Sequence, residues 1–166
     1  MSAGPEDRLA PLPGLKALRL VSINHQTAPL EVLERVALSP EAVRRLLRHL
    51  RSEDVEAIAL STCNRVELYW LARGPEDDRA VEQALARGWP SPLVDPGRHA
   101  LRIEGTAAAR HLFRVAAGLE SLLVGESEIL GQLRTAIETA ESESSAGPVL
   151  LDLVRTAVRF GGRVRA

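Results

Sequence analysis

The densest group of chemically able side chains in this 166-residue sequence is Ser61-Thr62-Cys63-Asn64-Arg65, set between the apolar runs 55–60 and 66–70. A turn between two strands brings side chains to the rim of a sheet, where a substrate reaches them. Cys63 is the only cysteine. A nucleophilic cysteine acts as its thiolate, and at an unperturbed pKa of ~8.5 only a few per cent is ionised at neutral pH. A neighbouring guanidinium favours the thiolate. In an extended chain Arg65 falls on the same face as Cys63, two residues away, and its planar fork suits a substrate carboxylate. The opposing reading is a small buried core cysteine beside an arginine paired to Glu67. The residues alone leave both open.

Two further clusters carry candidate chemistry. His111 sits in a helical stretch beside the apolar stripe Ala108, Leu112 and Val115. It reads either as a core histidine with one satisfied hydrogen bond or as a proton carrier or orienting group for a thiol. Residues 118–132 (GLESLLVGESEILGQ) read either as a corner between helices or as a polar shelf. In the second reading Ser121, Glu126 and Gln132 offer donors and acceptors to a ligand, with Glu126 suited to an amino group. Glu126 and Ser127 are also candidate caps for the helix that follows. His25, His49 and His99 have no ligand-type spacing to one another or to Cys63, so no metal site is expected. No strand, glycine cluster and helix occur together, so no phosphate cradle is expected.

These side chains must be positioned by the surrounding elements. Residues 15–24 read as a strand, with Leu18, Leu20 and Ser22 on one face. Thr27 is a candidate cap for a short helix with Leu30, Leu33 and Val36 on one side. Ser39-Pro40-Glu41 is a second helix start, followed by Val43, Leu46, Leu47 and Leu50 at helical spacing. Strands at 55–60 and 66–70 flank the cysteine turn. A helix runs from Gly74 to about Arg87, residues 88–97 form a proline-rich loop, and 100–103 read as a last short strand. From Thr106 onward only helical periodicity is present, over 106–118, 127–144 and 148–160. The order predicts an α/β (α+β) fold: a ferredoxin-like split βαβ (βαββαβ) sheet domain followed by a helical extension. The expected organisation is a flexible leader over 1–14, an α/β catalytic subdomain over 15–105, and a helical extension over 106–166 that completes the site. The last residues, 160–166, read as a frayed tail or a connection to a further domain.

Composition narrows the function classes. Hydrophobic residues make up 45% and charged residues 26%, which argues against disorder and fibres. A net charge of −1 gives no global attraction to phosphate, so nucleic-acid contact must rest on a local patch. No apolar run approaches the ~18 residues of a membrane span. A lone cysteine and no secretion signal suggest a reducing cytoplasm.

Four stretches occur in one order: Asn24-His25-Gln26-Thr27-Ala28-Pro29; Ser61-Thr62-Cys63-Asn64-Arg65-Val66-Glu67-Leu68-Tyr69; the run from His111 to Ser121; and Gly125-Glu126-Ser127-Glu128-Ile129-Leu130-Gly131-Gln132. Together they resemble the N-terminal catalytic domain of the glutamyl-tRNA reductase family, over about residues 18–165. The resemblance implies a substrate, glutamyl-tRNA, whose ester carbonyl is attacked by Cys63. The resulting thioester is reduced with NADPH to glutamate-1-semialdehyde, a tetrapyrrole precursor. It implies that His111 is the histidine that matters for activity and that Arg65 grips the α-carboxylate of the glutamyl group. It places Thr62, Asn64, Ser121, Glu126, Ser127, Glu128 and Gln132 at substrate-contact positions. It also implies a homodimer for the full-length enzyme, a monomer for a fragment, and glutamate-1-semialdehyde aminotransferase as a partner. Glu128 departs from the family's usual Gln, and Leu33 from an Arg common before Glu34. The NADPH-binding and dimerisation domains would follow where this sequence ends, so the chain reads as an excised or truncated domain. The competing function is a non-enzymatic stand-alone module of the same fold that binds tRNA or a partner protein.

Overall fold

The computed structural model describes residues 14–88, 95–123 and 128–166. The expected leader up to Pro13, most of the proline-rich loop, and Gly125, Glu126 and Ser127 lie outside the described residues. A 3-10 turn, Leu15–Ala17, leads into β1 (Leu18–Asn24). Then follow α1 (Leu30–Val36), α2 (Pro40–Ser52), β2 (Glu56–Ser61), β3 (Arg65–Leu71), α3 (Pro75–Gly88), α4 (Pro96–His99) and β4 (Leu101–Glu104). The chain continues as α5 (Thr106–Ala116), α6 (Glu128–Ser142) and α7 (Pro148–Val164).

The four strands form one antiparallel sheet in the order β2-β3-β1-β4. This is the split βαβ arrangement that the order of elements predicts. Both faces of the sheet are covered. Val21, Ile23, Ala57, Ala59, Val66, Leu68 and Trp70 turn toward α1, α2 and α3 and form one apolar core. Leu18, Leu20, Ile58, Leu60 and Tyr69 turn the other way and pack on α5, α6 and α7. The period-two alternation of the strands therefore assigns each side chain to a layer. A strand buried on both faces reads as continuous apolar sequence, as β2 does from Ala57 to Leu60.

Local details differ from the sequence expectation in five places. Thr27 does not cap α1: its hydroxyl donates to the Asn24 carbonyl at 3.2 Å and accepts from the Asn24 N–H at 3.0 Å, closing the turn after β1. The helix begins after Pro29 instead. Leu30 is 63% exposed, so the buried face of α1 is Val32, Leu33 and Val36. The first strand starts at Leu18 because residues 15–17 wind into the 3-10 turn, and β2 runs one residue later than expected. The chain does not fray after Phe160, since α7 continues through Gly161-Gly162 to Val164. Ser39 caps α2 as expected, accepting the Ala42 N–H at 3.1 Å.

The two glycines near the end of α7 have different surroundings. A Cβ at Gly161 would overlap the carbonyl oxygen of Ala116 on α5, whereas at Gly162 nothing lies within 4 Å. Gly161 thus permits the close approach of α7 to α5. Gly161→Val is expected to cost about 1–3 kcal/mol by overpacking, and Gly162→Ala to gain about 0.5–1 kcal/mol from helix propensity. Urea unfolding of the two variants checks this, and shifts of the same sign in both would contradict it.

Candidate active site

The cysteine turn is the tip of the β2–β3 hairpin. Ser61 pairs with Val66 in register, and the Thr62 N–H donates to the Arg65 carbonyl at 2.8 Å. Cys63 and Asn64 are the two residues left to make the turn. Tight hairpins usually favour positive φ at such positions, but neither residue has it. The turn is held by its neighbours instead. The Asn64 N–H donates to Thr62 Oγ1 at 3.2 Å, and the His25 N–H donates to the Asn64 carbonyl at 3.1 Å. Cys63 is therefore exposed at the tip, and its sulfur makes no hydrogen bond among the described residues.

One residue beyond the turn the chain enters β3, which sits between β2 and β1. Arg65, Glu67 and Tyr69 all point to the α5–α7 side, under the helices, while Val66, Leu68 and Trp70 point to the other. Arg65 is 3% exposed and Glu67 1% exposed. The two readings of the cysteine cluster are thus split between residues: the thiol is at the surface, and the arginine is buried against Glu67.

Glu67 is the centre of a buried polar network. Its Oε1 accepts from Ser22 Oγ at 2.8 Å, from Arg65 Nη1 at 2.9 Å and from His111 Nε2 at 2.7 Å. Its Oε2 accepts from the Tyr69 hydroxyl at 2.7 Å. Ser22 lies directly opposite Glu67 in the sheet register. Ser22 Oγ accepts from Asn24 Nδ2 at 2.8 Å, and Asn24 Oδ1 accepts from the Gln26 N–H at 2.9 Å, which ties the loop after β1 to the same carboxylate. Burial pushes the Glu67 carboxyl pKa up, but the His111 hydrogen bond and charge, the Arg65 charge and the Tyr69 hydroxyl outweigh it and bring it down to about 2. Burial, together with the same carboxylate, holds the Tyr69 phenol well above its ordinary pKa. An ionised carboxylate only accepts, so His111 Nε2 carries the hydrogen.

The far wall of the site comes from the end of α5. Gly118 has a φ of 78°. Its N–H donates to the Val115 carbonyl at 3.0 Å, and that of Leu119 to the Arg114 carbonyl at 2.9 Å. This is a Schellman ending, which needs a left-handed residue at Gly118. It turns the chain so that the Glu120 carbonyl accepts from Arg65 Nη2. The Glu120 carboxylate is held by Arg114 at 2.6 Å. His25 lies close enough to feel the charges of both Arg65 and Glu120. Burial and then Arg65 lower its pKa, and its Nδ1 is buried without a hydrogen-bond partner among the described residues.

Thr62, Cys63, Asn64, Arg65, Ser121, Glu128 and Gln132 line one narrow cleft, with Ile129 as its apolar wall. These residues come from the hairpin tip, the turn after α5 and the first turns of α6. The structure thus brings these candidate residues together. His111 is not part of that lining; it stands behind Arg65, with Nε2 engaged by Glu67. Glu126 and Ser127 lie outside the described residues. Sequence reasoning misses Ser22, Asn24 and Tyr69 as network members, and finds Glu67 only as a partner for Arg65. The available signal is alternation, which puts polar residues on the inward face of two neighbouring strands. Among the described residues no group of acidic, histidine and cysteine side chains is placed to hold a metal ion, and no helix is long and apolar enough to cross a membrane.

Comparison with known proteins gives concordant matches. Residues 21–166 match the family model described as glutamyl-tRNAGlu reductase, N-terminal domain. A glutamyl-tRNA reductase of Rubrobacter xylanophilus is 46% identical over 156 residues, covering 90% of this chain and 35% of the relative. One from Deinococcus radiodurans is 42% identical, covering 89% of this chain and 40% of the relative. Among solved structures, glutamyl-tRNA reductase from Methanopyrus kandleri aligns with a TM-score of 0.73 at 34% identity, over 90% of this chain and 34% of that one. The chain thus spans between a third and two fifths of the length of these relatives.

The network predicts a pH signature. A carboxylate with a depressed folded pKa stabilises the fold fully above its unfolded value and loses that contribution as pH falls toward the folded one. Glu67→Gln leaves Arg65 buried without its counter-charge, so it is expected to cost roughly 3–5 kcal/mol at neutral pH. In urea unfolding at stepped pH, the gap between wild type and variant should narrow from about pH 5 toward about pH 2. A gap independent of pH would contradict an ionised hub.

Proposed function

The chain belongs to the glutamyl-tRNA reductase N-terminal domain family, and on that premise we propose that it binds the glutamyl ester of tRNA in the cleft and takes the glutamyl group onto the Cys63 sulfur. The observation that carries this reading is an exposed thiol at a hairpin tip, in a cleft shared with the buried guanidinium of Arg65 and the polar side chains of Ser121, Glu128 and Gln132. In the step proposed, the thiolate attacks the acyl carbon, a C–S bond forms and the ester C–O bond breaks. The proton that began on the thiol ends on the departing ribose oxygen. A thioester accepts hydride more readily than an ester because sulfur delocalises poorly into the carbonyl, which gives thiol chemistry its use here.

The role expected of Arg65 needs one correction. In glutamyl-tRNA the α-carboxyl is the esterified acyl group itself, so the free anion is the side-chain γ-carboxylate. Arg65 is the cation suited to it. Two of its five N–H groups are engaged by Glu67 and the Glu120 carbonyl, and others remain for a carboxylate. Thr62, Asn64, Ser121 and Gln132 supply neutral donors and acceptors around the amino-acid end, and Glu128 supplies an anion suited to the substrate ammonium. Positions 126 and 127 remain proposed contacts. His111 acts through Glu67, fixing the carboxylate that fixes Arg65. Residues 15–105 bring the nucleophile and residues 106–166 the opposite wall.

The described residues do not fit a dinucleotide. Two strand-to-helix turns carry a glycine, one each: Gly74 between β3 and α3, with the Glu76 carboxylate packed beside it, and Gly105 between β4 and α5, whose N–H is already bound to the Leu18 carbonyl at 2.8 Å. No step of NADPH-dependent reduction is therefore assigned to them. Reduction to glutamate-1-semialdehyde for tetrapyrrole synthesis, homodimerisation, a cytoplasmic setting and hand-over of the aldehyde to an aminotransferase are proposed for the longer enzyme of this family.

Incubation with glutamyl-tRNA, an acid quench and intact-protein mass measurement tests the reading. One glutamyl group should be added to the wild type and none to Cys63→Ser. A folded wild-type chain with a free thiol that gains no adduct would support a non-enzymatic binding module instead.

A further inference from the structure

Beside the cleft lies a second, larger hollow of about 530 Å³, between α2 and α6 on either side of the β2 edge. That volume lies within the roughly 300–1,000 Å³ of ligand pockets. Glu128 and Gln132 line both spaces, and Ser61, which immediately precedes the cysteine turn, lines the hollow, so the two are adjacent. The hollow is largely apolar, with Pro40 and Val43 on one wall, Ala59 and Leu60 at the floor, and the hydroxyl residues Thr135 and Thr139 on α6. At Leu38 it adjoins a third hollow of about 400 Å³, lined by Arg45, His49 and Arg87. The two arginines are weakly engaged. Among the described residues Arg45 reaches only Glu41 at 4.0 Å, and Arg87 meets His49 Nε2 at 3.5 Å. By contrast Arg44 and Arg48, on the same helix, are bound to Glu143 at 2.9 and 2.7 Å.

An acyl ester with its carbonyl at Cys63 has two arms. The charged and polar lining of the narrow cleft matches the chemistry of the amino-acid arm. The alcohol arm of an aminoacyl-tRNA is a nucleoside, with a flat base and sugar hydroxyls, followed by phosphates. We infer that the hollow between α2 and α6 receives the 3′-terminal nucleoside of the tRNA, and that Arg45 and Arg87 meet the phosphate backbone beyond it. The inference rests on the function proposed above. Apolar walls suit a base face, the threonine and serine hydroxyls suit a ribose, and weakly paired arginines suit phosphate. The placement supplies the local basic patch that a chain of net charge −1 needs to meet a polyanion.

Gly131 provides the test. It lines the hollow, and a Cβ built on it has nothing within 4 Å. Gly131→Leu therefore fills the space without touching the cleft and improves helix propensity, which thermal unfolding verifies. Two acyl donors are compared by mass-detected acylation of Cys63: glutamyl-tRNA, and a glutamyl thioester of a small thiol that carries the same acyl group and no nucleoside. Gly131→Leu should slow acylation from glutamyl-tRNA by roughly tenfold or more, equivalent to ~1.4 kcal/mol, and leave the small thioester within about twofold. Arg45→Glu with Arg87→Glu should flatten the slope of log rate against log salt for the tRNA donor by about 0.7 for each phosphate that the arginines neutralise. An unchanged tRNA rate in Gly131→Leu, or equal slowing with both donors, would overturn the assignment while the thiol chemistry stands. A wild type inert to both donors would instead remove the function on which the inference rests.

Discussion

The site is organised around one carboxylate that water does not reach. Removing an ionised glutamate from solvent costs several kcal/mol unless hydrogen bonds and an opposite charge replace the lost hydration. Glu67 receives four hydrogen bonds, one of them from the guanidinium of Arg65. The donors come from three elements: Ser22 from the neighbouring strand, Arg65 and Tyr69 from the same strand, His111 from α5. The carboxylate can be ionised there only if all these elements are in place together. Conversely, once they are, Arg65 cannot move without leaving two charges unsatisfied. The cation at the base of the cleft is therefore set by the fold and needs no substrate to position it.

The same constraint explains the contrast between Arg65 and Cys63, two residues apart. The hairpin tip is the last place where the chain is outside the layered structure, and β3 is the most central place within it, together with β1. Crossing from one to the other takes a single residue. A reactive group at the tip is thus exposed to a large substrate, while the charge that recognises it sits in a low-dielectric setting, where its field is less screened. The helices α5 and α6 complete the arrangement from the other side. The Schellman ending at Gly118 brings the Glu120 carbonyl onto Arg65, and the first turns of α6 present Glu128 and Gln132.

Much of this is legible in the residues. The alternation of Val66, Leu68 and Trp70 marks β3, the Ser39-Pro40-Glu41 start marks α2, and the spacing of Ile129, Leu133 and Ile137 marks α6. The composition of the turn at 61–65 points to the cleft. What is not legible depends on three-dimensional neighbours. Whether Arg65 is a surface fork or a buried one turns on β3 lying inside the sheet, a matter of strand order. His111 at helical spacing gives no sign that its partner is Glu67, 44 residues earlier. Thr27 has the right type to cap a helix, but the Asn24 backbone competes for the same hydroxyl. Gly161-Gly162 reads as the end of order because glycine disfavours helices. The close approach of α5 makes Gly161 necessary instead.

The ionisation state of Glu67 is the most direct test of this account. Carbon-detected NMR of the labelled glutamate side chains, followed from neutral pH downward, reads it residue by residue. The account requires the Glu67 carboxyl carbon to keep its ionised shift through the range in which surface glutamates titrate, with any midpoint near 2 or merged with acid unfolding. A Glu67 midpoint at or above the ordinary 4.5 in the folded protein would mean that the carboxyl is neutral or solvated, and that something else holds Arg65 and His111 in place.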